Sequence, residues 1–159
     1  MKAKRKYLLE LGNLINHLKG QPYNIKFSYF LAKNRRKIKA EIEALEETIK
    51  PSEEWKTYDN ERVEIAKHFS DKDQEGNPII QGPNYRMTEK LTEFNEDINK
   101  LKNKYENVVA ERQKQIDDYT KLLDEEVEFD GYTIELSDFP QQLDAASLEV
   151  FMNVTLIDD

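Results

Sequence analysis

The sequence predicts a mainly α protein: a long antiparallel, coiled-coil-like helical hairpin on a small α+β base, with a β-hairpin near the C-terminus. Three observations point there. Met87, Leu91, Phe94, Ile98, Leu101, Tyr105 and Val108 alternate steps of four and three, the spacing of a helix seam over three heptads. Only 5 glycines and 5 prolines interrupt 159 residues, of which 35% are charged, a composition of solvated helices rather than of a thick core. After Glu126 the apolar period shortens to two, the mark of strands.

The elements follow in order. Tyr7, Leu8, Leu11, Leu14, Ile15 and Leu18 recur at helical spacing, predicting a short amphipathic helix over 4–19. Gly20 and Pro22 stop it, since glycine suits the position after a helix and proline cannot continue one. Tyr23, Ile25 and Phe27 alternate as a short extended segment. From Ser28, taken as an N-cap, a helix carries Leu31, Ile38, Ile42, Leu45 and Ile49 on one seam. Pro51 lacks an amide donor and bends it, and the pattern resumes at Trp55, Tyr58, Ile65 and Phe69, so one bent helix is expected over 28–69. Residues 70–78 are turn-forming, Ile79 and Ile80 make a short strand, and Gly82-Pro83 leads to the heptad-bearing helix, which runs to 125. Val127, Phe129, Asp130-Gly131, Tyr132, Ile134 and Leu136 then read as a β-hairpin on a type I′ turn. Leu143, Leu148, Phe151 and Met152 predict a last helix over 144–154. The whole is expected as a single domain over 1–159: an N-terminal helix and extended segment over 1–27, a helical hairpin over 28–126 with its turn at 70–84, and a β-hairpin and C-terminal helix over 127–159.

The formal charge of −8 conceals a segregation. Residues 1–40 carry a local +10, residues 41–121 carry −7, and residues 122–159 hold eleven acids and no base. Antiparallel pairing would bring residue 28 near residue 125, so the basic and acidic segments should meet and partly neutralise each other.

Several function classes lack the residues they need. Without cysteine there is no disulfide, no thiolate nucleophile and no Cys zinc site. His17 and His68 have no partner at ligand spacing. Acids are too frequent for pairs such as Glu125/Glu126 or Glu46/Glu47 to signal catalysis. No phosphate-cradling glycine loop or nucleophile elbow occurs, so the expectation is a protein that is not an enzyme and carries no cofactor. Asp71, Asp73, Glu75 and Gly76 match the first half of an EF-hand loop, but Gly82 stands where the bidentate Glu is required, and no metal site is expected. Glu10, Asn13 and Asn16 interrupt the apolar stretch behind the basic start, and no run of eighteen apolar residues occurs, so no membrane association is expected.

One order of features looks familiar, although its elements are degenerate: Ala32-Lys33-Asn34 early in a long Glu/Lys helix, an Asp73-x-x-Gly76-Asn77-Pro78 turn, a second long helix, Leu122 to Glu128, and a short hydrophobic C-terminal helix. This order resembles a family of small, functionally uncharacterised proteins encoded by tailed bacteriophages and prophages. The resemblance spans roughly residues 25–157. It implies a phage context, a cytoplasmic (host-cell) or virion-associated place, and a noncatalytic accessory role, and it brings no active-site residues.

Two surfaces are candidates for contact. Trp55, Tyr58, Phe69, Tyr85 and Met87 are residues favoured at interfaces and are expected around the hairpin tip; the plainer account is that they close the end of the coiled coil. Lys33, Arg35, Arg36, Lys37 and Lys39 form a basic face that would suit phosphates; the plainer account is a solvated helix face countered by the acidic tail. The acidic segment 122–159 could equally imitate a phosphate backbone. The leading expectation is protein–protein interaction, as an assembly or accessory factor or as an inhibitor of a host (for example defence) protein, with homo-oligomerisation through the heptads open. A nucleic-acid-binding module on the 33–39 face and a coiled-coil chaperone of prefoldin-like shape are the alternatives.

Overall fold

A computed structural model describes residues 2–158. Its elements are β1 (Lys2–Lys4), α1 (Arg5–Leu18), α2 (Ile25–Ile49), α3 (Glu53–Phe69), β2 (Ile80–Gln81), β3 (Asn84–Tyr85), α4 (Leu91–Lys104), α5 (Glu106–Asp124), β4 (Glu126–Glu128), β5 (Ile134–Glu135), α6 (Ala145–Asn153) and β6 (Ile157–Asp158), with a 3-10 turn at Leu136–Asp138. The fold is mainly α with a small β element. Among the described residues no helix is long and apolar enough to cross a membrane. Contacts divide the chain into two compact units, Met1–Ile49 with Asp117–Asp159, and Lys50–Ile116.

The first unit is built on α1 and on the N-terminal half of α2. Leu8, Leu11, Ile15 and Leu18 of α1 meet Phe27, Phe30, Leu31 and Ile38 of α2 in one buried cluster, joined by Phe129, Phe139, Phe151, Val154 and Leu156. Four phenylalanines form its centre: Phe30 and Phe151 lie 5.2 Å apart, Phe139 lies 5.5 Å from each of them, and Phe27 lies 5.4 Å from Phe139. Such tilted and edge-on rings fill space while matching ring edges to faces. Gly12 is where α1 accepts α2, because a Cβ there would sit 2.2 Å from Ile42 Cδ1.

Several boundaries differ from expectation, each for a local reason. Phe27 is helical rather than extended, because α2 starts at Ile25, ahead of Ser28. Asn24 is the residue that caps it: its Oδ1 accepts from Phe27 N–H at 2.8 Å while its Nδ2 donates to the carbonyl of Asp138 at 3.0 Å. Pro51 separates two helices instead of bending one, since Ser52 caps α3 by accepting from Trp55 N–H at 3.1 Å. The heptad helix begins only at Leu91, because Asn84 and Tyr85 are used as strand. It is distorted at Tyr105 (φ −113, ψ 28), although the bonds from Tyr105 N–H to Leu101 O and from Val109 N–H to Tyr105 O carry the ladder through.

The expected C-terminal β-hairpin is replaced by two separate pairings. Strand β4 pairs antiparallel with β1, placing Lys2 opposite Glu128 and Lys4 opposite Glu126. Strand β5 pairs in parallel with β6, Ile134 opposite Ile157. A type I′ turn needs positive φ at both central residues, and neither Asp130 nor Gly131 has it. Gly131 is used for close approach instead: a Cβ there would lie 2.2 Å from Leu156 Cδ2 and 2.7 Å from Phe129 Cε1. The backbone of Tyr132, which a hairpin partner would have satisfied, is bracketed by Asn34. Tyr132 N–H donates to Asn34 Oδ1 at 2.8 Å, and Asn34 Nδ2 donates to the carbonyls of Tyr132 (2.8 Å) and Phe30 (3.2 Å). Asn34 has no exposed surface.

The expected meeting of basic and acidic segments occurs within this unit. Lys4 and Lys6 reach Asp124 at 3.3 and 2.9 Å, Arg5 joins Glu41 and Glu125 at 2.6 and 2.7 Å, Lys26 meets Asp138 at 3.0 Å, and Lys37 meets Asp130 at 2.7 Å.

In the second unit α3 and α4 run antiparallel, as the heptads imply. Phe69–Phe94, Glu61–Lys104, Tyr58–Tyr105 and Trp55–Arg112 step in opposite directions along the chain. The connection over 70–90 is a folded loop containing a short β-hairpin. Strands β2 and β3 pair across Gly82-Pro83, and Lys72 bridges Pro78.

Candidate functional site

The turn at 70–84 is held by two carboxylates. Asp73 Oδ1 accepts the N–H groups of Glu75 (2.9 Å) and Asn77 (2.8 Å), so Asp73 is what makes the turn close. Asp71 accepts from Arg86 Nε at 2.8 Å and from both the N–H and the hydroxyl of Thr88 at 3.1 Å, while its backbone bonds to Arg86 O and Ile79 N–H. The N–H of Asn77 above all holds the Asp73 carboxyl below its usual range. For Asp71, partial burial pushes upward, yet the Thr88 and Arg86 donors prevail and its carboxyl also lies low. The acids that imitate half a calcium loop are therefore ligands of their own chain, and among the described residues no group of three or more His, Cys, Asp or Glu could hold a metal ion.

Against this loop lies a groove of about 550 Å³ between α3, the β2–β3 hairpin and the start of α4. Val63 and Ala66 of α3, Phe94 of α4, Pro83, Tyr85 and Met87 supply its apolar walls. Leu91, 53% exposed, stands in the wall, and Ile80, 68% exposed, projects from the adjoining strand. The rim cations are already paired: Arg62 with Asp59 at 2.8 Å and Arg86 with Asp71 at 2.8 Å. What is offered is thus a hollow with apolar, aromatic- and Met-containing walls interspersed with Gln81, Asn84 and Thr88, and with a charge-neutral rim, able to hold a side chain.

The five aromatic and Met residues singled out in the sequence do not all gather there. Tyr85 and Met87 line the groove, and Phe69 packs behind it against Phe94 with centroids 6.5 Å apart. Trp55 and Tyr58 sit toward the opposite end of α3, roughly 21 and 16 Å from Phe69 at about 1.5 Å per residue. There Tyr58 is buried between Trp55 (5.0 Å) and Tyr105 (5.7 Å), and Arg112 lies 5.8 Å over the Trp55 ring. Tyr105 also donates to Glu61 at 2.6 Å, which with Lys104 draws the Glu61 carboxyl low. Val63 and Ala66 belong to the site without having been singled out; small apolar residues on a helix carry no chemical signal until a neighbouring loop closes over them.

The basic face is only partly free. Lys37 is engaged by the Asp130 carboxylate and carbonyl, Lys39 lies 3.5 Å from Glu43, and Lys33 lies 5.4 Å over the Tyr29 ring. The Lys37 ammonium keeps the Asp130 carboxyl below its usual range. Arg35 and Arg36 are exposed and have no carboxylate within ion-pair distance among the described residues. Comparison of the chain with family models, with curated proteins and with solved structures finds no match.

Proposed function

We propose that this chain works by binding another protein, without chemistry of its own, and that the groove walled by Val63, Ala66, Tyr85, Met87 and Phe94 is the contact surface. The observation that carries this reading is the hollow itself, whose apolar wall of Val63, Ala66, Tyr85, Met87 and Phe94 is flanked by the exposed Leu91 and Ile80 and rimmed by cations that are already neutralised. Aromatic and Met side chains around a concave apolar site, with charge kept to a satisfied rim, are the composition of a binding centre. The resemblance to tailed-phage proteins adds a context: an accessory or assembly factor, or an inhibitor whose partner is a host protein. Nucleic acid is the weaker reading, because Lys37 and Lys39 on the 33–39 face are engaged with acids of the same chain.

The test is site-specific crosslinking. A photoreactive residue replaces Met87 in the groove, and in a control chain replaces the exposed Lys114 on α5. A discrete protein crosslinked from position 87 and not from 114, and lost when Leu91→Glu is added, is expected. Equal crosslinking from both positions, or none from 87, refutes the reading.

A further inference from the structure

A second concave surface lies in the other unit, between α1 and α2, and is tested independently of the groove above. Its volume is about 550 Å³, and a smaller hollow of about 170 Å³ adjoins it, the two sharing Ala32 and Arg35. The floor is apolar: Ile42 packs over Gly12, Ile38 lies beside it, and Ala32 adds only a methyl. The walls are charged: Lys19 and Arg35 flank the smaller hollow, and Arg35, Arg36, the Lys39–Glu43 pair (3.5 Å) and Glu46 flank the larger.

The charge pattern names the guest. Lys4, Arg5, Lys6, Lys26 and Lys37 are each met by an acid from 124–138. Among the described residues Arg35 and Arg36 are not, and the Lys19 ammonium finds only the amide oxygen of Asn16 at 3.3 Å. Three cations are thus left over beside an apolar channel, in a chain whose net charge is −8. From Ser28 to Glu46 the channel follows α2 for roughly 27 Å, the length of about five helical turns. A furrow between two antiparallel helices takes a third helix, apolar face down, with its flanking residues against the walls.

We infer that the α1–α2 furrow docks an amphipathic helix of a protein partner, with the partner's acidic residues set against Lys19, Arg35 and Arg36. Glu43, already paired with Lys39, and Glu46, unpaired among the described residues, bound the acidic stretch, since a carboxylate placed beside Glu46 would be repelled. The same residue disfavours a continuous phosphate backbone, which needs an unbroken cationic track.

The experiment uses the full chain and three labelled synthetic helices of about 20 residues, identical in their leucine face and carrying Glu, Lys or Gln on the flanks. Fluorescence anisotropy at low salt should show the Glu helix binding about tenfold tighter than the Gln helix, and the Lys helix weakest. Arg35→Glu with Arg36→Glu should abolish that preference, whereas Glu46→Gln should tighten the Glu helix about threefold. Circular dichroism checks the fold; should the double reversal unfold the chain, Arg35→Gln with Arg36→Gln replaces it and must still weaken the Glu helix. The inference is overturned if no helix binds, if all three bind alike, if Glu-helix binding survives loss of both arginines, or if an oligothymidylate displaces the Glu helix. Concentration-dependent self-association lost with the same arginines would make the guest a second copy and would equally overturn a foreign partner.

Discussion

Replacement of Asn34 probes how the C-terminal segment is held. The side chain is fully buried and makes three hydrogen bonds, two of them to the N–H and carbonyl of Tyr132. Asn34→Ala strands both Tyr132 groups. Each buried polar group left without a partner costs about 1–3 kcal/mol, and partial access of water to Tyr132 lowers that, so a loss of about 2–4 kcal/mol is expected. Against a typical total of about 5–15 kcal/mol this is a large fraction. With a urea slope of about 2 kcal/mol/M the midpoint should fall by about 1–2 M, read by helical circular dichroism. Asn34→Asp sharpens the test, since shape and the acceptor for Tyr132 N–H are kept while a carboxylate oxygen is turned toward two carbonyls. Burial and those carbonyls raise the folded-state pKa of the new acid above its unfolded value near about 3.9. Its penalty relative to the parent should therefore be small below that value, where the protonated acid can donate to Tyr132 O, and should grow as pH rises toward the raised folded value. A loss under about 0.5 kcal/mol for Asn34→Ala, the size of an ordinary surface substitution, or an Asn34→Asp penalty that shrinks with rising pH, would refute the bracket as a determinant of stability.

Three further outcomes are expected. Gly131→Ala should cost about 1–3 kcal/mol by overpacking against Leu156 and Phe129, and truncating Leu156 to Val should make the same substitution cheaper in a double-mutant cycle; a neutral Gly131→Ala denies the close approach. Asp71→Ala should speed amide hydrogen exchange at Ile79, Arg86 and Thr88 while leaving α6 unchanged, and unchanged exchange at Thr88 would show that Asp71 does not hold the loop. The carboxyls of Asp124, Asp130, Asp71, Asp73 and Glu61 all lie below their usual values, held down chiefly by Lys6, by Lys37, by the Thr88 and Arg86 donors, by Asn77 N–H and by Tyr105 respectively. Their contribution is complete above the unfolded carboxylate range and is lost as pH falls through the folded values, so stability should hold level from about pH 5 to about pH 9 and decline below that range. Stability that rises on acidification from about pH 5 to about pH 3 would contradict these assignments.

Much of the helical structure was legible because its signals are local. Leu8, Leu11, Ile15 and Leu18 repeat at 3–4 spacing and do form one buried face of α1, and the heptad residues from Leu91 onward lie in α4 and α5, apart from Tyr105 at their junction. The predicted contact residues were legible as types but not as a group. Tyr85 and Met87 share a groove because the β2–β3 hairpin folds back onto α3, whereas Trp55 and Phe69, on one helix, are separated by its length. Of the basic face, only side-chain geometry could separate Lys37 and Lys39, which are paired, from Arg35 and Arg36, which have no carboxylate in reach among the described residues.

The sequence by itself determined the principal helices, though not their bounds, and, through the antiparallel pairing those helices imply, that the basic beginning meets the acidic end, since side-chain periodicity and charge segregation are properties of a stretch of chain alone. Tertiary structure alone decided the strand partners, the cap of α2 and the role of Asn34. Strands of two or three residues have too few bonds of their own to choose a partner. Val127 was therefore free to pair with Ala3 rather than across Asp130-Gly131, and the backbone this left open at Tyr132 was completed by a buried amide from a helix 98 residues earlier.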